Sequence, residues 1–331
     1  MIYTTSKYHI QKAADLIKAG ECVAMPTETV YGLAANALNP SSVAKIFEIK
    51  RRPSFDPLIL HISKDYDLGQ IVNSVPEAAE KIIQAFWPGA ITIILPKCAS
   101  VPDIATSGLP TVAVRCPAHP VAQELLTHCK FPLAAPSANP FGRISPTTAE
   151  AVEEELGDKI PAILDGGPCE LGIESTIIDF AEGKPAILRP GAISAEDLEP
   201  YLGPIQQKGL GEHPEAPGML KSHYAPRTPL YLAFEKLPQE LPKENAYLFF
   251  DRQQNLPPIS FTLSAKGDLR EAAANLFQAM RELDQSDASQ IYCEPIPDYS
   301  LGRAINDRLI KASSGAVALI DNDFIVAPAG R

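Results

Sequence analysis

Hydrophobic positions along this chain follow a helical period in some segments and form short apolar runs in others. Ile10, Ala13, Ala14 and Ile17 lie on one face of a helix that Ser6 can cap. Short apolar runs that end at Pro, Gly or polar residues predict strands. Strands are predicted at 22–25, 57–62, 90–95, 111–115, 133–135, 162–164, 176–180, 186–188, 230–233, 246–250, 259–263 and 290–293, and further helices at 39–50, 76–86, 121–126, 148–156, 269–284 and 301–313.

The order of these elements predicts a mixed α/β fold. Helices and strands alternate early in the chain and strands cluster later, which favours a twisted sheet of mixed direction. A length of 331 residues exceeds the usual size of one domain. Residues 203–229 are rich in Pro and Gly, as linkers are. We therefore predict a first domain at 1–202, a linker at 203–229 and a smaller α/β domain at 230–331.

Composition narrows the class of protein. The formal net charge of -11 argues against strong general affinity for nucleic acids or acidic membranes, so that any polyanion site has to be a local basic pocket. No apolar run is long enough to cross a bilayer, and the N-terminus lacks the pattern of a signal peptide. The 6 cysteines stand singly, without metal-ligand spacing. We expect a cytoplasmic protein with reduced thiols and no structural zinc.

Common nucleotide and hydrolase motifs do not occur in the sequence. It contains no GxxxxGK[ST] loop, no GxGxxG after a strand, no GxSxG and no HExxH. A nucleotide would therefore have to bind by another route.

The densest polar signal runs from Lys50 to His61. Lys50, Arg51 and Arg52 end a predicted helix, and Pro53 breaks it before the next strand. Such cations can simply neutralise the helix dipole and face solvent. Lys50 and Arg52 can also converge on one anion, since a point charge and a guanidinium fork both suit phosphate oxygens.

Four further segments place polar residues at the ends of predicted strands: Pro26–Leu33 with Thr29, Pro136–Pro140 with Ser137 and Asn139, Gly172–Asp179 with Ser175, and Arg189–Gly191. Each segment alone can be an ordinary turn, bulge or cap. Together they put cations and hydroxyls at strand ends, where ligands bind in α/β sheets. The residues predict a pocket for a polyanionic small molecule, without naming its chemistry.

The motifs, taken in order, resemble a known family. PTETVYGLAANA, the K-x-R-P and DPLILHI segment, TVAVRCP, SAN, GIESTIID and LRPGAIS are similar to the YrdC-like threonylcarbamoyl-AMP synthases over about the first 200 residues. The segment PGMLKSHYAP and the second domain resemble the two-domain branch of that family, which implies that the linker at 203–229 is a lid across the mouth of the active site. The resemblance implies a YrdC-like twisted mixed sheet with helices and a smaller Rossmann-like α/β domain after it.

The resemblance also implies an activity and a set of site residues. The expected enzyme is a nucleotidyltransferase that condenses L-threonine, bicarbonate and ATP, with Mg²⁺, into threonylcarbamoyl-AMP and pyrophosphate. Its product feeds the threonylcarbamoyladenosine modification of tRNA next to the anticodon. By the family pattern the catalytic tetrad is Lys50, Arg52, Ser137 and Asn139; threonine and its carbamate contact Thr29, His61, Arg115 and Ser175; and ATP contacts the tetrad together with Asp56, Thr111, Ser145, Arg189 and Tyr224.

Some positions depart from the family pattern and some alternatives stay open. Asp56 stands where many relatives carry Asn, Arg51 where a small residue is usual, and Ala135 where some relatives have a threonine. No protein metal ligand is predicted, the expected partners are the downstream tRNA threonylcarbamoyl-transfer machinery, and direct tRNA binding stays open. The alternative functions are a non-enzymatic module that binds structured RNA and a carbamoyltransferase of the hydrogenase-maturation type.

Overall fold

A computed structural model of the chain describes residues 1–181, 183–208, 223–320 and 323–327. The described residues group into two compact units. The first contains residues 1–141 and 145–208, and the second contains residues 142–144 together with those from 223 onward. Of the predicted linker 203–229, the part from 209 to 222 lies outside the described residues. Within the described residues, no helix combines the length and the apolar character that a membrane span requires.

The first unit is built on one large sheet. Its strands are β1 (Ile2–Tyr3), β2 (Val23–Met25), β3 (Gly32–Asn36), β4 (Ile59–His61), β5 (Ile91–Pro96), β6 (Thr111–Arg115), β7 (Leu133–Ala134), β8 (Ala162–Leu164), β9 (Thr176–Asp179), β10 (Ala186–Arg189) and β11 (Gln206–Gln207). They form an 11-stranded sheet in the order β1-β8-β2-β3-β7-β4-β6-β5-β9-β10-β11, with parallel and antiparallel pairs. The predicted twisted sheet of mixed direction is confirmed.

Helices pack against this sheet, and side chains cap several of them. They are α1 (Lys7–Lys18), α2 (Pro40–Lys50), α3 (Glu77–Phe86), α4 (Asp103–Thr106), α5 (Pro120–Cys129), α6 (Ala149–Leu156) and α7 (Ala195–Leu202), with a 3₁₀ turn at Leu68–Gln70. The Ser6 side chain accepts from the backbone N–H of His9 and so caps α1. The Asn39 side chain caps α2, and Arg51 ends that helix in a left-handed conformation.

The two faces of the sheet are covered differently. On one face, apolar residues of α2, α3, α6 and α7 pack against alternate strand residues in the main core. On the other face, α1 and α5 cover the half formed by β1, β8, β2, β3 and β7. Alternate residues of a strand point to opposite faces, so the remaining half of this second face belongs to β4, β6, β5, β9 and β10. A small cluster of strand residues lies there: Ile59, Ile94, Ala113, Ile177 and Leu188.

The second unit is a smaller α/β sheet. Its strands are β12 (Leu230–Ala233), β13 (Ala246–Phe249), β14 (Ser260–Thr262), β15 (Ile291–Cys293), β16 (Gly315–Ile320) and β17 (Asp323–Ala327), and its helices are α8 (Leu269–Asp284) and α9 (Leu301–Ala312). The order is β14-β13-β15-β12-β16-β17, and all pairs are parallel except the last. Helices α8 and α9 were predicted nearly to the residue.

Candidate active site

Four polar side chains lie on the half of the second face that β4, β6, β5, β9 and β10 form. His61 pairs with Arg115 across β4 and β6, and Arg115 pairs with Thr92 across β6 and β5. Ser175 stands two residues before Ile177 on the same face. Each of these four residues lies two positions along the chain from a member of the small apolar cluster and on the same face of the sheet. The fold therefore places a buried polar row directly beside an apolar floor.

Arg115 is held by three protein acceptors. Its Nε donates to the carbonyl of Gly89 at 3.2 Å, Nη1 donates to Thr29 Oγ1 at 2.8 Å, and Nη2 donates to Glu28 Oε1 at 2.6 Å. The second oxygen of Glu28 accepts from the backbone N–H of Ala118 at 3.1 Å. Burial raises the pKa of Glu28, but the charge and hydrogen bond of Arg115 outweigh burial and bring it below its ordinary value. Glu28 and Arg115 thus form a fully ionised buried pair.

His61 is buried next to this pair. Its Nδ1 lies 3.3 Å from the carbonyl oxygen of Ile59, which can only accept a hydrogen bond. Burial, together with the charge of Arg115, lowers the pKa of His61 to about 3. His61 is therefore neutral at physiological pH.

Arg189 reaches the same row from β10. Its Nε and Nη2 donate to the carbonyl of Ser175 at 3.1 and 2.9 Å, and Nη2 also donates to Ser175 Oγ at 3.1 Å. Ser175 Oγ lies 2.7 Å from Thr92 Oγ1. A Cβ at Gly191 would collide with the backbone of Glu174 and Thr176, so only glycine allows this close approach. This close approach explains the glycine of the Arg189-Pro190-Gly191 motif.

Lys50 ends α2 and is almost fully buried. Its Nζ donates to the carbonyls of Ser137 and Asn139 at 2.6 and 2.5 Å. Burial, followed by the charge of Arg52, holds the pKa of Lys50 well below its ordinary value. Gly32 forms an isolated bridge with Ser137, which fixes the loop that carries both carbonyls. The structure thus brings three of the four predicted tetrad residues into direct contact.

Arg52, the fourth tetrad residue, binds the loop that follows it. Its Nε and Nη2 donate to the carbonyls of Asp56 and Pro57 at 3.0 and 2.9 Å. Nη2 also lies 2.9 Å from Asp56 Oδ2, as an ion pair without hydrogen-bond geometry. Burial raises the pKa of Asp56 above its ordinary value, and the charges of Arg52, Lys50 and Arg189 oppose that rise. One carboxyl group therefore pairs with Arg52 and also feels the charges of Lys50 and Arg189.

The remaining predicted residues lie in different places. Thr111 shares the face of β6 with Arg115 and is partly buried. Ser145 is buried and donates to Glu174 Oε1 at 2.7 Å. Tyr224 belongs to the second unit, where its ring stacks on Phe277 and lies under the guanidinium of Arg308. Its expected ATP contact stays a prediction.

Sequence reasoning did not assign three residues that the structure places in this site. Glu28, Thr92 and Glu174 are buried and bond to Arg115, Ser175 and Ser145, respectively. Thr92 is a lone hydroxyl in an apolar strand, and such an interruption is a signal in the sequence. In the part of the chain that the structure describes, no three His, Cys, Asp or Glu residues group to hold a metal ion.

Two family models together match most of this chain. The family described as "Telomere recombination" matches residues 15–191, and the one described as "Threonylcarbamoyl-AMP synthase, C-terminal domain" matches residues 193–314. The threonylcarbamoyl-AMP synthase of Bacillus subtilis is 41% identical over 330 residues and covers 95% of each chain. The synthase of Pyrococcus abyssi is 39% identical over 328 residues, with 93% of this chain and 94% of the relative covered.

A solved structure has the same fold over nearly the whole chain. The crystal structure of P. abyssi Sua5 complexed with L-threonine matches with a TM-score of 0.88 at 37% identity, and the match covers 95% of this chain and 97% of the other. The chain belongs to the two-domain threonylcarbamoyl-AMP synthase family. The resemblance seen in the motifs is therefore confirmed, as is the mixed α/β fold.

Proposed function

We propose that this chain is an L-threonylcarbamoyladenylate synthase. It joins L-threonine, bicarbonate and ATP to give threonylcarbamoyl-AMP, pyrophosphate and water. The observations that carry the proposal are that Arg52 pairs with the buried Asp56, that the charges of Lys50 and Arg189 also act on this carboxyl group, and that Arg189 bonds to Ser175 in the buried polar row. The family, whose named members are threonylcarbamoyl-AMP synthases, supports the same activity.

The cations divide into two groups with different tasks. Lys50, Arg52 and Arg189 act together on Asp56, so positive charge exceeds negative charge there and suits the phosphates of ATP. The charge of Arg115 is matched by Glu28, so Arg115 recognises an anion by geometry rather than by excess charge. In our proposal Thr29, His61, Arg115 and Ser175 bind threonine and its carbamate. Ser137, Asn139, Ser145 and Thr111 border the nucleotide.

The chemistry requires two anions to meet. The amine of threonine first becomes a carbamate, and a carbamate oxygen then attacks the α-phosphorus of ATP while pyrophosphate leaves. Two unit charges at 4 Å repel by about 4 kcal/mol at an effective dielectric constant near 20. Arg52 and Arg189 lower that repulsion, because their charges are fixed before the anions arrive. Lys50 adds to this effect, because a bound phosphate favours its charged form. Catalysis thus rests on positioning and charge, without a protein nucleophile.

Magnesium belongs to the substrate in this proposal. Mg²⁺ enters as the complex with ATP and neutralises charge on the phosphates. Asp56, the carboxyl nearest the cations, is paired with Arg52. We therefore assign Asp56 to the orientation of Arg52 and not to a metal.

The product is a mixed anhydride that water hydrolyses readily, so the cell has to consume it soon after its release. We propose that the tRNA threonylcarbamoyl-transfer machinery takes it up in the cytoplasm. The six single cysteines support this location, because they form no disulfide in the described residues.

Pyrophosphate release tests the proposed function. ATP is incubated with each of the twenty amino acids, with and without bicarbonate, and released pyrophosphate is measured. We expect release with L-threonine and bicarbonate together and only background without either. Equal turnover with L-serine, or full turnover without bicarbonate, would contradict the substrate assignment. Binding of structured RNA that weakens steeply with salt, without pyrophosphate release, would favour the RNA-binding alternative.

A further inference from the structure

Arg115 has N–H donors that its contacts with the protein do not use. A guanidinium carries five N–H groups. Among the described residues, Gly89, Thr29 and Glu28 accept from one N–H each, on Nε, Nη1 and Nη2, respectively. One N–H on Nη1 and one on Nη2 therefore remain. Two donors on neighbouring nitrogens can bind the two oxygens of a carboxylate.

Glu28 is the residue that fixes this fork. It is 8% exposed, and both of its carboxylate oxygens are engaged, one by Arg115 and the other by the backbone N–H of Ala118. Its own carbonyl accepts from Leu171 N–H at 2.8 Å. A side chain tied at both oxygens on an anchored backbone has little freedom to rotate. The orientation of the guanidinium follows from it.

A hydrogen-bond acceptor lies beside the fork. Thr27 Oγ1 donates its single proton to the carbonyl of Val30 at 2.6 Å and accepts from the backbone N–H groups of Thr29 and Val30 at 3.1 and 3.2 Å, so both of its lone pairs are used. Thr29 Oγ1 accepts from Arg115. This contact leaves one lone pair on Thr29 Oγ1. Thr29 can therefore accept a hydrogen bond from a ligand.

The unused N–H groups of Arg115 and the unused lone pair of Thr29 match the polar groups of an α-amino acid. Two donors on Arg115 suit its carboxylate, and the lone pair on Thr29 suits its amine or hydroxyl. We propose that Glu28 is a positioning residue that directs the two unused N–H groups of Arg115 to the α-carboxylate of the amino-acid substrate. This inference rests on the proposed function and assigns to Glu28 a part in substrate recognition.

A purely structural role makes a different prediction. If Glu28 only joined the 26–31 loop to the segment after β6, its loss would affect both substrates alike. A positioning role affects the amino acid alone, and only ligands that carry the α-carboxylate. Kinetics with two amino-acid ligands therefore separate the two roles.

The test uses Glu28→Gln in the full chain. The amide keeps the size of the side chain, but it cannot accept from both Arg115 and Ala118 through two carboxylate oxygens. We expect KM for L-threonine to rise by about 10- to 100-fold, the range for a lost hydrogen bond to a charged group. KM for ATP should stay within about two-fold. The inhibition constant of L-threoninamide, which lacks the carboxylate, should also change little.

Two further variants serve as controls for this test. Glu77→Gln removes a carboxylate from an exposed pair with Lys81 and should leave every constant unchanged. Glu28→Asp keeps the charge but shortens the reach, so its KM for threonine should lie between those of the parent protein and Glu28→Gln. Folding of each variant is judged by the fluorescence of Trp87, which is the single tryptophan of the sequence. If Glu28→Gln does not fold, Glu28→Asp replaces it in the test.

Different results would contradict the positioning role of Glu28 and the proposed synthase activity. An unchanged KM for threonine in both Glu28 variants, or equal increases for threonine and threoninamide, would overturn the positioning role while leaving the synthase intact. Absence of threonine-dependent pyrophosphate release from the parent protein would instead remove the proposed function.

Discussion

The first unit contains two buried pairs of arginine with a carboxylate, and they differ in how they are bonded. In the Arg115–Glu28 pair both carboxylate oxygens accept hydrogen bonds. In the Arg52–Asp56 pair neither oxygen of Asp56 accepts one from the described residues, although an ion pair of 2.9 Å is present. The two carboxyl groups are similarly buried, yet the pKa of Glu28 is lowered and that of Asp56 is raised.

This difference indicates two kinds of use. Hydrogen bonds to the ionised form stabilise Glu28, so its pair is a permanent part of the fold. Asp56 is held by charge alone, and burial opposes its ionisation. A carboxylate held in that way is easily replaced at its cations by another anion. We therefore expect the Arg52 side of the site to exchange partners when a phosphate binds, and the Arg115 side to stay as it is.

The largest effect is expected at the phosphate side. Lys50→Ala or Arg52→Ala should lower the rate of pyrophosphate release by at least about 100- to 1000-fold, the usual loss when one preorganised donor is removed. Lys45→Ala on the same helix is the matched control, because Lys45 pairs with Glu21 at the surface. A loss of less than about ten-fold in both site variants would contradict the role of these cations.

Stability should distinguish the two pairs. Breaking a buried, hydrogen-bonded ion pair costs about 3 kcal/mol or more, so Glu28→Gln should lower the free energy of unfolding by about that amount. Asp56→Asn should cost less than half as much, because its oxygens lose no hydrogen bond. Urea unfolding followed through Trp87, which lies in the first unit, measures both. Equal losses of unfolding free energy in Glu28→Gln and Asp56→Asn would contradict the difference in hydrogen bonding between the two pairs.

A smaller effect is expected from His61 as pH changes. Its pKa is about 3 in the folded protein and about 6.5 when unfolded. The unfolded state therefore binds a proton that the folded state rejects, and stability falls as pH drops from 6.5 toward 3. Between pH 6.5 and pH 5 this contribution amounts to at most about 2 kcal/mol.

The contribution of His61 is isolated by comparison with variants. His61→Gln cannot titrate, so its stability should depend less steeply on pH between 5 and 6.5 than that of the parent protein. His128→Gln, which removes a partly exposed histidine from α5, serves as the control. An identical pH dependence in the parent protein and His61→Gln would contradict a neutral, buried His61.

Much of the fold could be predicted from local sequence. The capped helices α1 and α2 and the apolar strand β6 have signals within their own residues. Strand β3 was missed because Gly32-Leu33-Ala34-Ala35-Asn36 has low strand propensity. It is extended because β2 and β7 pair with it on either side, which no local pattern shows.

The site was only partly predictable for a similar reason. Arg115 and Ser175 could be recognised by their motifs, because each lies at the end of an apolar run. Their partners could not, since Glu28 is 87 residues from Arg115 and Thr92 is 83 residues from Ser175. Spacing in the chain carries no information about such contacts, and only the register of the sheet brings them together.

The most direct test of the central claim is the mass of the adenylate product. The protein is incubated with ATP, L-threonine and bicarbonate labelled with ¹³C, and the product is analysed by liquid chromatography with mass spectrometry. We predict threonylcarbamoyl-AMP that carries the label, together with pyrophosphate. Unlabelled threonyl-AMP, or ADP and phosphate in place of an adenylate, would contradict the attack of a carbamate on the α-phosphorus.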